Sequence, residues 1–172
     1  MNLYFRLIWT WLRARMKPAI AMGDTITMQL RVWPNDLDVN GHMNNGRYMT
    51  IVDLALIEYF TRAGFLPVAL KRGWRPMVGG SMISFRRGLK PFTVYTLRFS
   101  LECWDERWNY MRFEFERQGQ TMAVGFSKGA VVGKDGIVSS HDTYGALGVR
   151  QASPAFPATV SAWLEADRLI RS

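Results

Sequence analysis

Cysteine and histidine are scarce in this chain of 172 residues, which carries one of the first, Cys103, and two of the second, His42 and His141. A single cysteine excludes a disulfide framework and fits a reducing compartment, so a cytoplasmic location is expected. Cys103 falls on the apolar phase of a strand-like stretch with no base nearby in sequence, which points to core packing. Two histidines are too few for a histidine-rich metal site, and no metal or other cofactor is expected. Neither a Gly-x-Ser-x-Gly elbow nor a Gly-x-x-x-x-Gly-Lys phosphate loop occurs. Internal repeats, low-complexity tracts and apolar runs long enough to span a bilayer are missing as well.

Acid is also missing from the start of the chain, where the first carboxylate is Asp24. The segment Leu3 to Leu12 is apolar and aromatic, broken only by Arg6 and Thr10, and is followed by Arg13, Arg15 and Lys17. A signal peptide would carry its cations ahead of the apolar stretch. The pattern predicts a short amphipathic helix that lies on a membrane surface, making a peripheral contact through residues 1–17, or packs on the fold or on a partner chain. The net charge of +8 spreads over clusters at Arg13-Arg15-Lys17, Lys71-Arg72-Arg75 and Arg86-Arg87-Lys90. No nucleic-acid recognition module accompanies it, and nucleic acid is not an expected partner.

What the chain does have is enough apolar residue, 48% of the total, to bury the core of one domain. Ile26, Met28, Leu30 and Val32 alternate with polar residues, the period of a half-buried strand. Tyr48 to Phe60 is apolar on nearly every face, which predicts a buried helix capped near Asn44 or Asn45 and stopped at Gly64. Four further strands are expected: Ser81–Arg87, Tyr95–Cys103, Met111–Glu116 and one opening at Met122. Turn signals divide them, including Gly88-Leu89-Lys90-Pro91 and Gly133-Lys134-Asp135-Gly136. Strand, long helix, then antiparallel meander makes an α+β layer architecture. A terminal helix with Val160, Trp163 and Leu164 on one side should follow Pro157.

Between the first strand and the helix lies a dense polar run, Trp33 to Tyr48, holding Asn35, Asp36, Asp38, Asn40, Gly41, His42, Asn44, Asn45 and Gly46. Polar groups at an element junction must cap, turn or react. This run ends at a helix N-terminus, where free N–H groups and the helix dipole favour developing negative charge. The element order together with Asp36-x-Asp38-x-x-Gly41-His42-x-Asn44-Asn45 ahead of Tyr48 resembles the hotdog-fold thioesterases of the 4-hydroxybenzoyl-CoA thioesterase superfamily, over roughly Thr25 to Gly136. The resemblance implies a long buried helix wrapped by an antiparallel sheet in residues 23–136, with an N-terminal segment, 1–22, and a C-terminal extension, 137–172.

It also implies an acyl-CoA substrate hydrolysed to acid and CoA. The family alignment puts Asp38 at the catalytic carboxylate and gives the N–H groups of Asn45 and Gly46 to the thioester oxygen. Asp36 is expected in a turn or cap, Gly41 at a positive φ, and His42 and Asn44 as loop-orienting or water-holding groups. Tyr48 belongs to the substrate-binding set by the same alignment. Asp53 and Glu58, on the helix, are the alternative catalytic carboxylates, because some members place the acid there. Arg86, Arg87 and Lys90 either meet the CoA polyphosphate or form a solvated strand end. A homodimer or homotetramer with shared sites is expected, since a lone meander leaves an unpaired edge. A non-catalytic acyl- or lipid-binding module on the same fold remains the rival reading, with a hotdog dehydratase behind it.

Overall fold

A computed structural model describes residues 3–171. Helix α1 (Leu3–Ala14) is followed by strand β1 (Thr25–Arg31), a 3-10 turn at Pro34–Asp36, the long helix α2 (Asn45–Arg62) and a short α3 (Phe65–Arg72). Then come β2 (Arg75–Phe85), β3 (Val94–Trp104), β4 (Asn109–Arg117), β5 (Gln120–Gly133), β6 (Gly136–Val138), α4 (Ser140–Ala146) and α5 (Ala158–Arg171). All pairings in the sheet are antiparallel, in the order β1-β3-β4-β5-β2. Strand β6 pairs with the end of β5 beyond Gly129, where β4 stops, on the side opposite β2, and sets Val131 against Val138.

The sheet wraps α2. Ile51, Val52, Leu54 and Ala55 of the helix meet Ile26, Leu97, Phe99, Phe113, Phe115 and Ala123, all buried, in one core cluster. The expected hotdog arrangement is what forms, for the reason its pattern gave: a helix apolar on most faces has to be covered on most faces. Asn44 caps α2 by accepting from the Gly46 N–H at 2.9 Å, and Gly64, at φ 75°, ends it. Cys103 is fully buried, and burial pushes its thiol up to about 11.

Four elements differ from expectation, one of them the short helix α4, which no sequence period announced. Strand β2 begins at Arg75, six residues before Ser81, because Gly79 and Gly80 break the sequence alternation without breaking the ladder; the register merely shifts between Val78 and Gly80. Helix α3, which starts straight after the α2 stop and contains Pro67, had no sequence period long enough to reveal it. The Gly133–Gly136 turn is real but returns into β6, giving six strands where five were read. The terminal helix forms as expected, and it docks on the sheet with Val160 buried and Trp163 and Leu164 packed against Cys103, Tyr110 and Phe126.

Helix α1 packs along α2 with its polarity reversed. Its buried residues are Arg6, Thr10 and Ala14, flanked by half-buried Leu3 and Leu7, while its large aromatics face out. Arg6 reaches Asp36 through bonds of 3.1 and 3.0 Å to the two carboxylate oxygens. Further along, Lys17 meets Glu58 at 2.6 Å.

Candidate active site

The polar run folds into a small, heavily tied loop. Asp36, completely buried, accepts from Arg6, from Arg47 at 3.1 and 2.8 Å, and from the Trp33 N–H at 3.0 Å, while its carbonyl accepts from the Asn44 N–H at 2.8 Å. It is the structural anchor expected of it. Leu37 and Met43 then pair across a tight hairpin whose tip is Asp38 to His42. Asp38 closes that tip: its N–H donates to the His42 carbonyl at 2.9 Å, and its carbonyl accepts from Gly41 at 3.1 Å. Gly41 sits at φ 71°, the left-handed conformation that a side chain resists.

The Asp38 carboxylate is half-buried and divided in role. Oδ1 accepts from the N–H groups of Asn40 at 2.9 Å and His42 at 3.4 Å, an Asx-type turn, whereas Oδ2 has no hydrogen bond among the described residues. The hairpin is fastened from outside by residues 88 and 89. Met43 N–H donates to the Leu89 carbonyl at 2.8 Å, and the His42 imidazole lies so close to Gly88 that a Cβ there would be 2.8 Å from it. Arg86, Arg87 and Lys90 are thereby held, exposed, around the loop, with Arg87 donating to Gln120 at 2.7 Å.

Four of the expected site residues have other employment. Tyr48 is core: its ring stands edge-on to Phe115 at 4.8 Å and Phe85 at 5.1 Å, and it bonds the Leu89 backbone. Glu58 is 2% exposed and its Oε1 is paired with both Lys17 and Arg62, so it ties the segment after α1 to α2 from a buried position. Asn44 and Gly46 are spent on each other in the helix cap. That leaves the Asn45 N–H at the α2 start, which has no hydrogen-bond acceptor among the described residues and is one of the groups a helix end cannot satisfy itself.

Asp53 lies elsewhere, eight residues along α2 and so roughly 12 Å from its first turn. It is an exposed residue, yet it borders an apolar cavity of about 310 Å³ enclosed by Met22, Phe60, Phe65, Leu101, Met111 and Tyr144 among others. Desolvation there holds its carboxyl above the ordinary carboxylate range. Met77 and Val78 of edge strand β2 also line the cavity. No residue of 33–48 does, so within one chain the loop and the cavity are separate. Sequence reasoning missed the cavity's polar end, where Tyr144 donates to the Asn109 side chain and the Thr143 hydroxyl is buried without a partner. Only the unassigned helix α4 could have signalled it.

A family model described as the Thioesterase-like superfamily matches residues 32–164. The chain belongs to that superfamily. Protein THEM6 from Xenopus laevis is 32% identical over 138 residues, covering 78% of this chain and 64% of that protein. THEM6 from Drosophila melanogaster is 26% identical over 175 residues, 98% of this chain and 87% of that one. A thioesterase of Penicillium oxalicum, poxG, is 31% identical over 98 residues, 49% of this chain. The chain spans about two thirds of the Xenopus relative and 32% of the Penicillium one. Solved structures share the hotdog fold at lower identity. A probable thioesterase from Escherichia coli superposes at a TM-score of 0.66, with 18% identity over 71% of this chain and 96% of that one. A mutant 4-hydroxybenzoyl-CoA thioesterase complexed with 4-hydroxybenzoyl CoA superposes at 0.63, with 19% identity over 72% and 98%.

Proposed function

We propose that this thioesterase-superfamily chain hydrolyses an acyl-CoA thioester at the Asp38 loop. The observation that carries the reading is the pairing of a carboxylate oxygen outside the turn's hydrogen bonds, Oδ2 of Asp38, with an open N–H, that of Asn45, at the start of a buried helix. Oδ2 takes a proton from a water whose oxygen adds to the thioester carbon. The carbonyl oxygen, now negative, is stabilised by the Asn45 N–H and the helix dipole. The C–S bond then breaks, the acid is released, and the departing thiolate takes up a proton. Arg86, Arg87 and Lys90, exposed around the same loop, suit the polyphosphate end of CoA. Direct attack by the carboxylate would instead expel the thiolate and form a mixed anhydride with Asp38, and in oxygen-18 water its hydrolysis at the aspartyl carbonyl would leave label in Asp38, which the water-attack route never does.

The acyl group needs an apolar recess, and the cavity described above, lined by edge strand β2 and by Asp53, lies away from the chain's own Asp38. A two-fold dimer joined through β2 would bring the cavity of one protomer to the loop of the other and cover the unpaired edge. The deciding experiment measures free-thiol release from a panel of acyl-CoAs. Asp38→Asn should keep its melting temperature and lose about 10²–10⁴ in rate, and wild-type activity should fall with mass on dilution. Full turnover by Asp38→Asn, or saturable acyl-CoA binding with no turnover by the wild type, would refute hydrolysis at this loop.

A further inference from the structure

We propose that α1 docks the protein on an anionic phospholipid surface, its outward stripe entering the interface and lipid phosphodiesters occupying an arginine-lined groove beside it. The proposal is independent of what Asp38 does. Its first support is the reversed polarity of the helix. Phe5, Ile8, Trp9 and Leu12 recur at i, i+3, i+4 and i+7, the spacing of one helix face, and they are 58%, 59%, 52% and 44% exposed; Met16, in the turn that follows the helix, is 80% exposed. The face turned to the protein carries Arg6 and Thr10 among Leu3, Leu7 and Ala14, so the larger apolar side chains of the helix are the outward ones. Such an arrangement wastes hydrophobic area unless something apolar covers it.

The second support says what covers it. Residues 1–23 contain no acid, and Arg13 and Arg15 flank the stripe, Arg15 lying over the Trp11 ring at 4.9 Å. Between α1 and β1 runs a groove of about 330 Å³ lined by Trp9, Arg13, Gln29, Arg31 and Trp33, with Arg6 among its walls. Neither Arg13 nor Arg31 has a carboxylate partner among the described residues; Arg31 donates only to the Phe92 carbonyl, at 3.3 Å. Guanidinium groups beside exposed tryptophans suit phosphodiesters at an acyl boundary, where tryptophan concentrates and each nearby cation is attracted to anionic lipid. A second copy of the chain is the poorer occupant, because two-fold pairing of this face would oppose like-charged arginines. No described helix is long and apolar enough to cross a membrane, so the contact is interfacial.

The test is flotation of the full chain with phosphatidylcholine vesicles, with and without phosphatidylglycerol, for wild type, Phe5→Ser/Trp9→Ser and Arg13→Glu/Arg31→Glu. All four positions are exposed, so melting temperatures should match. The wild type should float with phosphatidylglycerol and lose binding as salt rises, and each double variant should bind at least about ten-fold more weakly, given roughly 1 kcal/mol per cation at such a surface. No flotation of the wild type, or equal flotation of the variants, overturns the proposal. So does a wild-type oligomer that ignores vesicles and dissociates on Phe5→Ser/Trp9→Ser, since a second copy would then own the face.

Discussion

Replacing Asp36 by Ala should be among the most damaging single changes in this protein, although Asp36 has no place in the proposed chemistry. Its side chain has no exposed area and is held by two guanidinium groups and one backbone N–H. Arg6 is only 4% exposed, so removing the carboxylate strands a buried cation that has no second acid partner among the described residues. Breaking such a pair from one side costs about 3–5 kcal/mol. In a chain of this size each kcal/mol moves the melting temperature by about 2–4 °C, so a fall of roughly 6–20 °C is expected. Arg6→Leu should cost less, since Asp36 keeps Arg47 and the Trp33 N–H, and Arg47→Leu least, its side chain being 23% exposed. Replacing both members of the buried pair, Asp36→Leu with Arg6→Met, should recover part of the loss. Urea unfolding followed by tryptophan fluorescence gives each difference from the midpoint at constant slope. An Asp36→Ala protein within about 1 kcal/mol of wild type, or one less harmed than Arg47→Leu, would refute this account of how the loop is anchored.

Other expectations are narrower. Because Asp53 is held above its ordinary value in the folded state, the folded protein binds its proton more tightly than the unfolded chain does. Stability should therefore decline as pH rises from the ordinary carboxylate range through the raised value. Asp53→Asn should remove that slope and melt no lower than wild type at neutral pH; a lower melting temperature in differential scanning fluorimetry would contradict it. Cys103, with its thiol pushed up to about 11 and its side chain fully enclosed, should resist a disulfide-exchange reagent in the native protein and give one equivalent on denaturation. Rapid native labelling would place the thiol outside the core.

The sequence disclosed those elements whose period is local. Alternation in β1, β3 and β4 and the all-round apolarity of α2 are properties of seven to eighteen consecutive residues, and they suffice for an α+β layering, while the hotdog arrangement followed from the family resemblance that the polar loop carries. The polar loop could be picked out as a site because its residue types have no cheap structural use at that density. The fate of each residue could not. Glu58 reads as a possible acid until Lys17, forty-one residues upstream, is found against it, and Asp36 owes its burial to Arg6, thirty residues away. Gly46 lost its open N–H to a cap that Asn44 supplies, a choice between two equally local uses of one donor. Edge strand β2 was shortened in the reading because two glycines carry no hydropathy signal, although the backbone ladder needs none.

The inside-out build of α1 separates two jobs that usually compete. An amphipathic helix that seats its grease in the core has to be pried loose before that grease can serve anything else, so attachment draws down folding stability. Here the hold on the body of the protein is the packing of Leu3, Leu7 and Ala14 together with ion pairs, Arg6 to Asp36 and Lys17 to Glu58 just beyond the helix, and a separate oily flank is on permanent display. Whatever settles on that flank takes nothing from the core. The fastening also ends on Asp36, the residue that ties down the hairpin bearing Asp38, so the helix on the outside and the loop on the inside share a single bolt.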